Sequence, residues 1–226
     1  MPVSELTSAL KKHSLQIPSA ALPQVVKYCE LLWDHNERIN LTRHTDYRTF
    51  VERDVLDTLQ LLPFLQPGDR VLDVGSGGGV PGILLKLLQP DLQVTLAESV
   101  QKKARVLQSI VLDLGIDVTV HAARGEVVLK TEKFDAVTIR AVANLRKLAF
   151  WFRRVGQSFD RMLLIKGPKW RLEFDEAIEA GVMETATVSE LAYYKTPGHD
   201  GMSFVLDLRF KSPPSAPAPP PAPEEA

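Results

Sequence analysis

Apolar positions recur at helical spacing along the first quarter of the chain. Over residues 22 to about 39, Val25, Tyr28 or Cys29, Leu32, His35 or Asn36 and Ile39 mark one face of an amphipathic helix with Pro23 near its start. A shorter helix over residues 5–12 precedes it, with an interruption around Pro18. Asn40-Leu41-Thr42 ends the long helix. Asp46 is the expected N-cap of a third, reaching to about Leu62, whose apolar face carries Phe50, Val51, Val55, Leu56, Leu59 and Leu62. After Pro63 and Pro67-Gly68 the period changes. Val71, Leu72 and Val74 read as a short buried strand, residues 83–88 as a helix packed on a sheet, and residues 93–97 as an alternating strand. Strands over 118–120, 136–139 and 162–165 then alternate with helices over 102–114, 145 to about 155, and 173–180. Gly115 and Gly181 cap the first and last of these helices. Two alternating runs, about 187–194 and 203–210, close as a hairpin through residues 197–201. The pattern predicts an α/β fold of five parallel strands followed by an antiparallel pair. Residues 1–63 form a helical N-terminal extension and residues 64–211 the α/β domain. Residues 212–226, only Pro, Ala, Ser and Glu, are expected to be a disordered tail.

The chemistry concentrates between the first strand and its helix. Residues 75–79 hold four glycines, and Val80-Pro81-Gly82 follows. A strand, a glycine-rich turn and a helix form the first unit of a doubly wound sheet with a ligand at its switch point. Glycine allows the backbone and the helix N-terminus to approach that ligand. Gly77-x-Gly79-x-x-Gly82 satisfies the dinucleotide pattern, so an NAD-dependent dehydrogenase is one reading. Asp73 points to another: a carboxylate at the strand's end repels a pyrophosphate and welcomes an ammonium. S-adenosylmethionine brings an ammonium and a sulfonium and no phosphate. Glu98, closing the second strand, is placed to accept hydrogen bonds from ribose hydroxyls, a role both cofactors share. The terminal antiparallel pair is the sheet plan of class I methyltransferases, whereas a dinucleotide fold would more often continue as βαβ.

Composition narrows the setting. The chain has 226 residues, 45% of them hydrophobic and 24% charged, enough for one sizeable α/β domain with an appendage. No apolar run reaches membrane-spanning length and no signal-peptide plan is present, so no membrane association is expected. Cys29 is the single cysteine and lies among apolar residues, which suits a buried inert thiol in a reducing cytoplasm. The five histidines lack metal-ligand spacing, so no metal site is expected.

The net charge of −1 hides an asymmetry. Between Thr138 and Arg171 lie nine basic residues and one acid, Asp160, interleaved with Phe150, Trp151, Phe152, Phe159 and Trp170. Such a rim beside the cofactor fits phosphates and unpaired bases. For residues 146–154 the competing structural reading is favoured, with Phe150 and Trp151 in the core and the charges solvated. Arg140 and Lys166, each ending a predicted strand, are read as functional.

Several motifs occur together in order: Asn40-Leu41-Thr42, Arg53 with Leu56-Asp57-Thr58, Asp73 through Gly82, Phe134-Asp135, Ile139-Arg140-Ala141 and Lys166-Gly167. In these, residues 25–210 resemble the RsmG (GidB) family, bacterial methyltransferases acting on a guanine N7 of small-subunit (16S) ribosomal RNA. The resemblance implies a class I S-adenosylmethionine-dependent methyltransferase fold, with a Rossmann-like seven-stranded sheet whose last strand is antiparallel. It implies S-adenosylmethionine as cofactor, ribosomal RNA or a ribosomal subunit as partner, and a cytoplasmic monomer. Carried over by motif, Gly75, Gly77 and Val80 line the cofactor, Gly125 and Glu126 meet its adenine region, and Arg140 forms the far wall. Asn40, Arg53 and Lys166 are assigned to RNA. Two positions depart from the family pattern. Asp54 stands where a His usually follows the arginine, so no contact of that His carries over, and Val80 replaces a bulkier Leu or Phe. Methylation at N7 uses an available lone pair, so no catalytic base is assigned and in-line placement is the expected means. A noncatalytic RNA-binding module stays open beside the dehydrogenase.

Overall fold

A computed structural model describes residues 2–198 and 201–211. The Pro/Ala-rich tail, and His199 and Asp200 of the hairpin turn, lie outside the described residues. Two helices open the chain, α1 (Pro2–Lys12) and α2 (Leu22–Asn36). The third predicted helix is instead a composite: α3 (Tyr47–Phe50), a widened π-helical turn (Val51–Val55), α4 (Leu56–Leu61) and a closing turn at Leu62–Phe64. Asp46 caps it as expected, accepting from the backbone N–H of Thr49 at 2.8 Å. The π turn carries buried Asp54 and leads directly to buried Asp57 in α4, a placement common for such widened turns near functional sites.

From Arg70 onward strands and helices alternate. They are β1 (Arg70–Val74), α5 (Gly82–Leu88), β2 (Gln93–Ala97), α6 (Gln101–Leu114), β3 (Thr119–His121), α7 (Gly125–Val128), β4 (Phe134–Arg140), α8 (Leu145–Phe152), β5 (Phe159–Lys166), α9 (Trp170–Glu179), β6 (Ala186–Lys195) and β7 (Met202–Phe210). Gly115 ends α6 in the left-handed conformation at φ +68°, as its position predicted. The sheet order is β3-β2-β1-β4-β5-β7-β6. The first five strands are parallel, and β7 runs antiparallel to both β5 and β6. Strand order reverses between β1 and β4, so the crevice at their carboxyl ends is the ligand position of this topology.

Core packing follows strand alternation. On β1, Val71 joins the cluster on one face while Leu72 and Val74 join that on the other. The first cluster unites the N-terminal helices with α5 and α6, so Tyr28, Leu32, Phe50 and Leu61 share one core with Ile83, Leu84 and Leu107. Helix α8 packs on the opposite face through Leu145, Leu148, Ala149 and Phe152, at i, i+3, i+4 and i+7. That stripe corrects the expectation that Phe150 and Trp151 are core: they fall off it and are 49% and 36% exposed.

Candidate active site

The loop after β1 turns sharply upward. Gly75, Gly77 and Gly79 all have positive φ, which a side chain resists. Gly75 has no room for one either, because a Cβ there would stand 2.6 Å from a Val142 methyl. The loop is held from three sides. Tyr28 of α2 donates its hydroxyl hydrogen to the Gly78 carbonyl at 2.8 Å. Glu98 accepts from the backbone N–H of Gly77 at 2.9 Å and from that of Val100 at 2.7 Å. Asp73 accepts from the Gly82 N–H at 3.3 Å and from the Thr138 hydroxyl at 3.0 Å.

Asp73 therefore differs from its sequence-based role. It shares a face of β1 with Val71, so its carboxylate is buried against α5 and not open to an ammonium. Burial pushes its pKa up to about 6, outweighing the hydrogen bonds from Ser76, Thr138 and Gly82 that pull it down. It is a strut under the loop. Glu98 lies at the end of β2 as predicted, but both its oxygens already hold loop amides.

Three cavities meet at this edge. The first, about 190 Å³, is lined by Val74, Gly75, Ala97, Gly125, Glu126 and Trp151 among others. The second, a cleft of about 590 Å³, brings His44, Arg53, Asp57, Arg140, Val142 and Lys166 together. The third, about 250 Å³, lies between Leu41-Thr42 and the loop at Gly75, Gly77 and Val80. Gly75 borders the first and third, Val142 the first and second, and Arg140 and Ala141 the second and third.

Arg140, at the tip of β4, anchors this junction. Its guanidinium pairs with Asp54 at 2.7 Å and with Asp57 at 3.1 Å. Asp54 also holds His44 Nδ1 at 2.8 Å, and Asp57 accepts from the Tyr194 hydroxyl at 2.6 Å. Burial pushes the Tyr194 hydroxyl pKa well up, and the charge of Asp57 adds to it. For Arg140 the two carboxylates outweigh burial and hold the guanidinium charged. The next residue, Ala141, is left-handed at φ +56°, a strained position for a residue with a Cβ.

The chain matches the family model described as "GidB: rRNA small subunit methyltransferase G" over residues 21–199. The chain belongs to the GidB family. The ribosomal RNA small subunit methyltransferase G of Rhodopirellula baltica is 46% identical over 191 residues, covering 84% of this chain and 83% of that protein. The protein of the same name from Chromobacterium violaceum is 34% identical, covering 91% of this chain and 96% of that one. Among solved structures, a mutant of MtNAS in complex with S-adenosylmethionine aligns with TM-score 0.55 at 19% identity, over 84% of this chain and 72% of that one. A putative O-methyltransferase from Klebsiella pneumoniae aligns with TM-score 0.55 at 16% identity, covering 82% and 90%. At those identities the likeness is one of fold.

The residues singled out on GidB resemblance separate into groups in the structure. Gly75, Gly125 and Glu126 line the first cavity, Gly77 and Val80 the third, and Arg140 and Arg53 the cleft. Asn40 is exposed and lines none of the three; Asn36 is the residue that organises this turn, accepting from the N–H groups of Leu41 and Thr42. Lys166 lines the cleft but is paired, donating to the Ala143 carbonyl at 2.6 Å and to Glu173 at 2.7 Å. Trp151, set aside as core, lines the first cavity, and sequence reasoning missed Tyr28, His44, Asp57, Val142 and Tyr194. Asp57 lay inside a quoted motif, and Tyr28 was read only as core; the others carry no local signal.

Proposed function

We propose that the chain transfers the methyl group of S-adenosylmethionine to N7 of a guanine in small-subunit ribosomal RNA. The observation that carries this reading is the junction at Gly75 and Val142. There a cavity beside the glycine loop adjoins, across Val142, a cleft lined by Arg53, Arg140 and Lys166. The first cavity suits a nucleoside: its lining is mainly apolar, and Glu98 stands at the end of the neighbouring strand, next to its Ala97 wall. The absence of a side chain at Gly75 lets Val142 pack against the loop, and the two together form part of the cavity wall. When bound, the cofactor supplies an electrophilic methyl group. Guanine N7 presents a lone pair without losing a proton, so the protein's part is orientation and exclusion of water. The names of the relatives support the ribosomal substrate.

The dehydrogenase reading is disfavoured by Glu98. Its carboxylate occupies the Gly77 amide that a pyrophosphate would need, and would repel the phosphate. Among the described residues, no helix is long and apolar enough to cross a membrane, and no group of three His, Cys, Asp or Glu could hold a metal ion. A ribosomal substrate supports a cytoplasmic setting, and the enzyme is taken to act as a monomer.

The test is incorporation of labelled methyl from S-adenosylmethionine into small subunits lacking the modification, with large subunits as control. Borohydride reduction and aniline scission then locate a methylated N7. Labelling of small subunits, with scission at one guanine, is the expected result. Absence of labelling, or calorimetric binding of NADH without binding of S-adenosylhomocysteine, would overturn the proposal.

A further inference from the structure

The cleft holds three basic side chains, and they are not equivalent. Arg140 is matched by Asp54 and Asp57. Lys166 is matched by Glu173, and its second hydrogen bond goes to the carbonyl of Ala143. The Arg53 guanidinium has no ion pair and no hydrogen bond among the described residues, and its Nε is buried without a partner. A guanidinium carries five donors and stays charged, so one left unmatched at a cleft wall is a standing site for an anion.

Glu173 links Lys166 to a different task. The same Oε2 that pairs with Lys166 accepts the backbone N–H of Leu145 at 3.0 Å. Lys166 and Glu173 together therefore grip residues 143 and 145. This is the loop that leaves strained Ala141 and carries Val142 between cofactor cavity and cleft. Releasing the grip would let Ala141 relax and Val142 leave Gly75.

We infer that these cations divide the work: Arg53 is the ligand for a phosphodiester of the incoming RNA strand, and Lys166 is a positioning residue that acts with Glu173 to hold the Val142 loop. This deepens the reading above and rests on it. It also replaces the sequence-based expectation that Lys166 contacts RNA.

The two roles give different signatures. Arg53→Ala should lower the slope of log K against log salt for binding of transcribed 16S ribosomal RNA by about 0.7, the share of one phosphate on a single strand. It should raise KM for the subunit while leaving affinity for S-adenosylhomocysteine unchanged. Arg53→Lys should restore most of the slope. Lys166→Ala should leave the salt slope as in wild type and lower kcat, and Glu173→Ala should do the same. The double variant should be no slower than either single one, because both remove one clamp.

An unchanged salt slope in Arg53→Ala overturns the phosphate assignment. A reduced slope in Lys166→Ala, or Glu173→Ala with wild-type kcat, overturns the positioning role. Thermal melts on every variant separate these results from misfolding. Should Lys166→Ala fail to fold, Lys166→Arg provides the same comparison of slope against kcat. RNA binding is read without turnover, so loss of the methyltransferase reading, seen as an inactive wild type, is distinct from failure of this one.

Discussion

Gly75 combines φ +70° with a Val142 methyl at 2.6 Å from the place of a Cβ. In Gly75→Val the side chain meets both penalties, roughly 1–3 kcal/mol for the backbone alone. Cofactor affinity should fall by more than tenfold in calorimetric titration with S-adenosylhomocysteine, and a folded variant binding as tightly as wild type would remove the loop from the cofactor site. Asp73 tests the other side of the loop. Its folded pKa of about 6 lies above the ordinary 3.8, so the stability it contributes is complete below the lower value and is lost as pH rises through the upper one. Asp73→Asn has no such dependence. Relative to wild type, it should gain about 2 kcal/mol between about pH 4.5 and about pH 7.5 in urea unfolding. Parallel curves would mean that Asp73 reaches solvent.

Helix α2 shows how one element prepares a site it does not line with charge. Tyr28 and Leu32 lie one turn apart on its inner face; the first bonds Gly78 and the second stands 3.1 Å from where a Gly78 Cβ would be. Tyr28→Phe keeps the ring and leaves the Gly78 carbonyl without its donor. The expected loss is about 1–2 kcal/mol of stability, with weaker cofactor binding, read by denaturant unfolding and titration. No change in either would make the contact incidental. Helix α8 works oppositely. Its inward stripe leaves Trp151 to line the first cavity and Phe150 exposed, where the Arg153 guanidinium stacks on the ring 3.6 Å from its centroid.

At the scale of the molecule, the helices before β1 and the sheet share a continuous core. The cleft is equally shared: β4 supplies Arg140, while the segment before β1 supplies both carboxylates that match it. A fragment of residues 64–211 would expose the apolar faces of α5 and α6 and leave Arg140 without partners. It should fail to show a cooperative melt or to bind cofactor, whereas a stable, cofactor-binding fragment would show the N-terminal helices to be dispensable.

The order of strands and helices, the antiparallel closing pair and the glycine loop were legible in the sequence. Each is encoded locally, by a two- or 3.6-residue period or by backbone positions only glycine tolerates. The motif resemblance also identified the family, because its residues are contiguous in short runs. The partners of charged residues were not legible. Asp73 and Lys166 read as ligand contacts from their places at strand ends, yet the fold turns one beneath the loop and matches the other with Glu173. Arg140 meets Asp54 and Asp57 across more than 80 residues of chain, and Tyr194 reaches Asp57 from β6. Whether a buried charge is spent on the protein or left for a ligand depends on which carboxylates the topology brings within about 4 Å, and no local pattern records that.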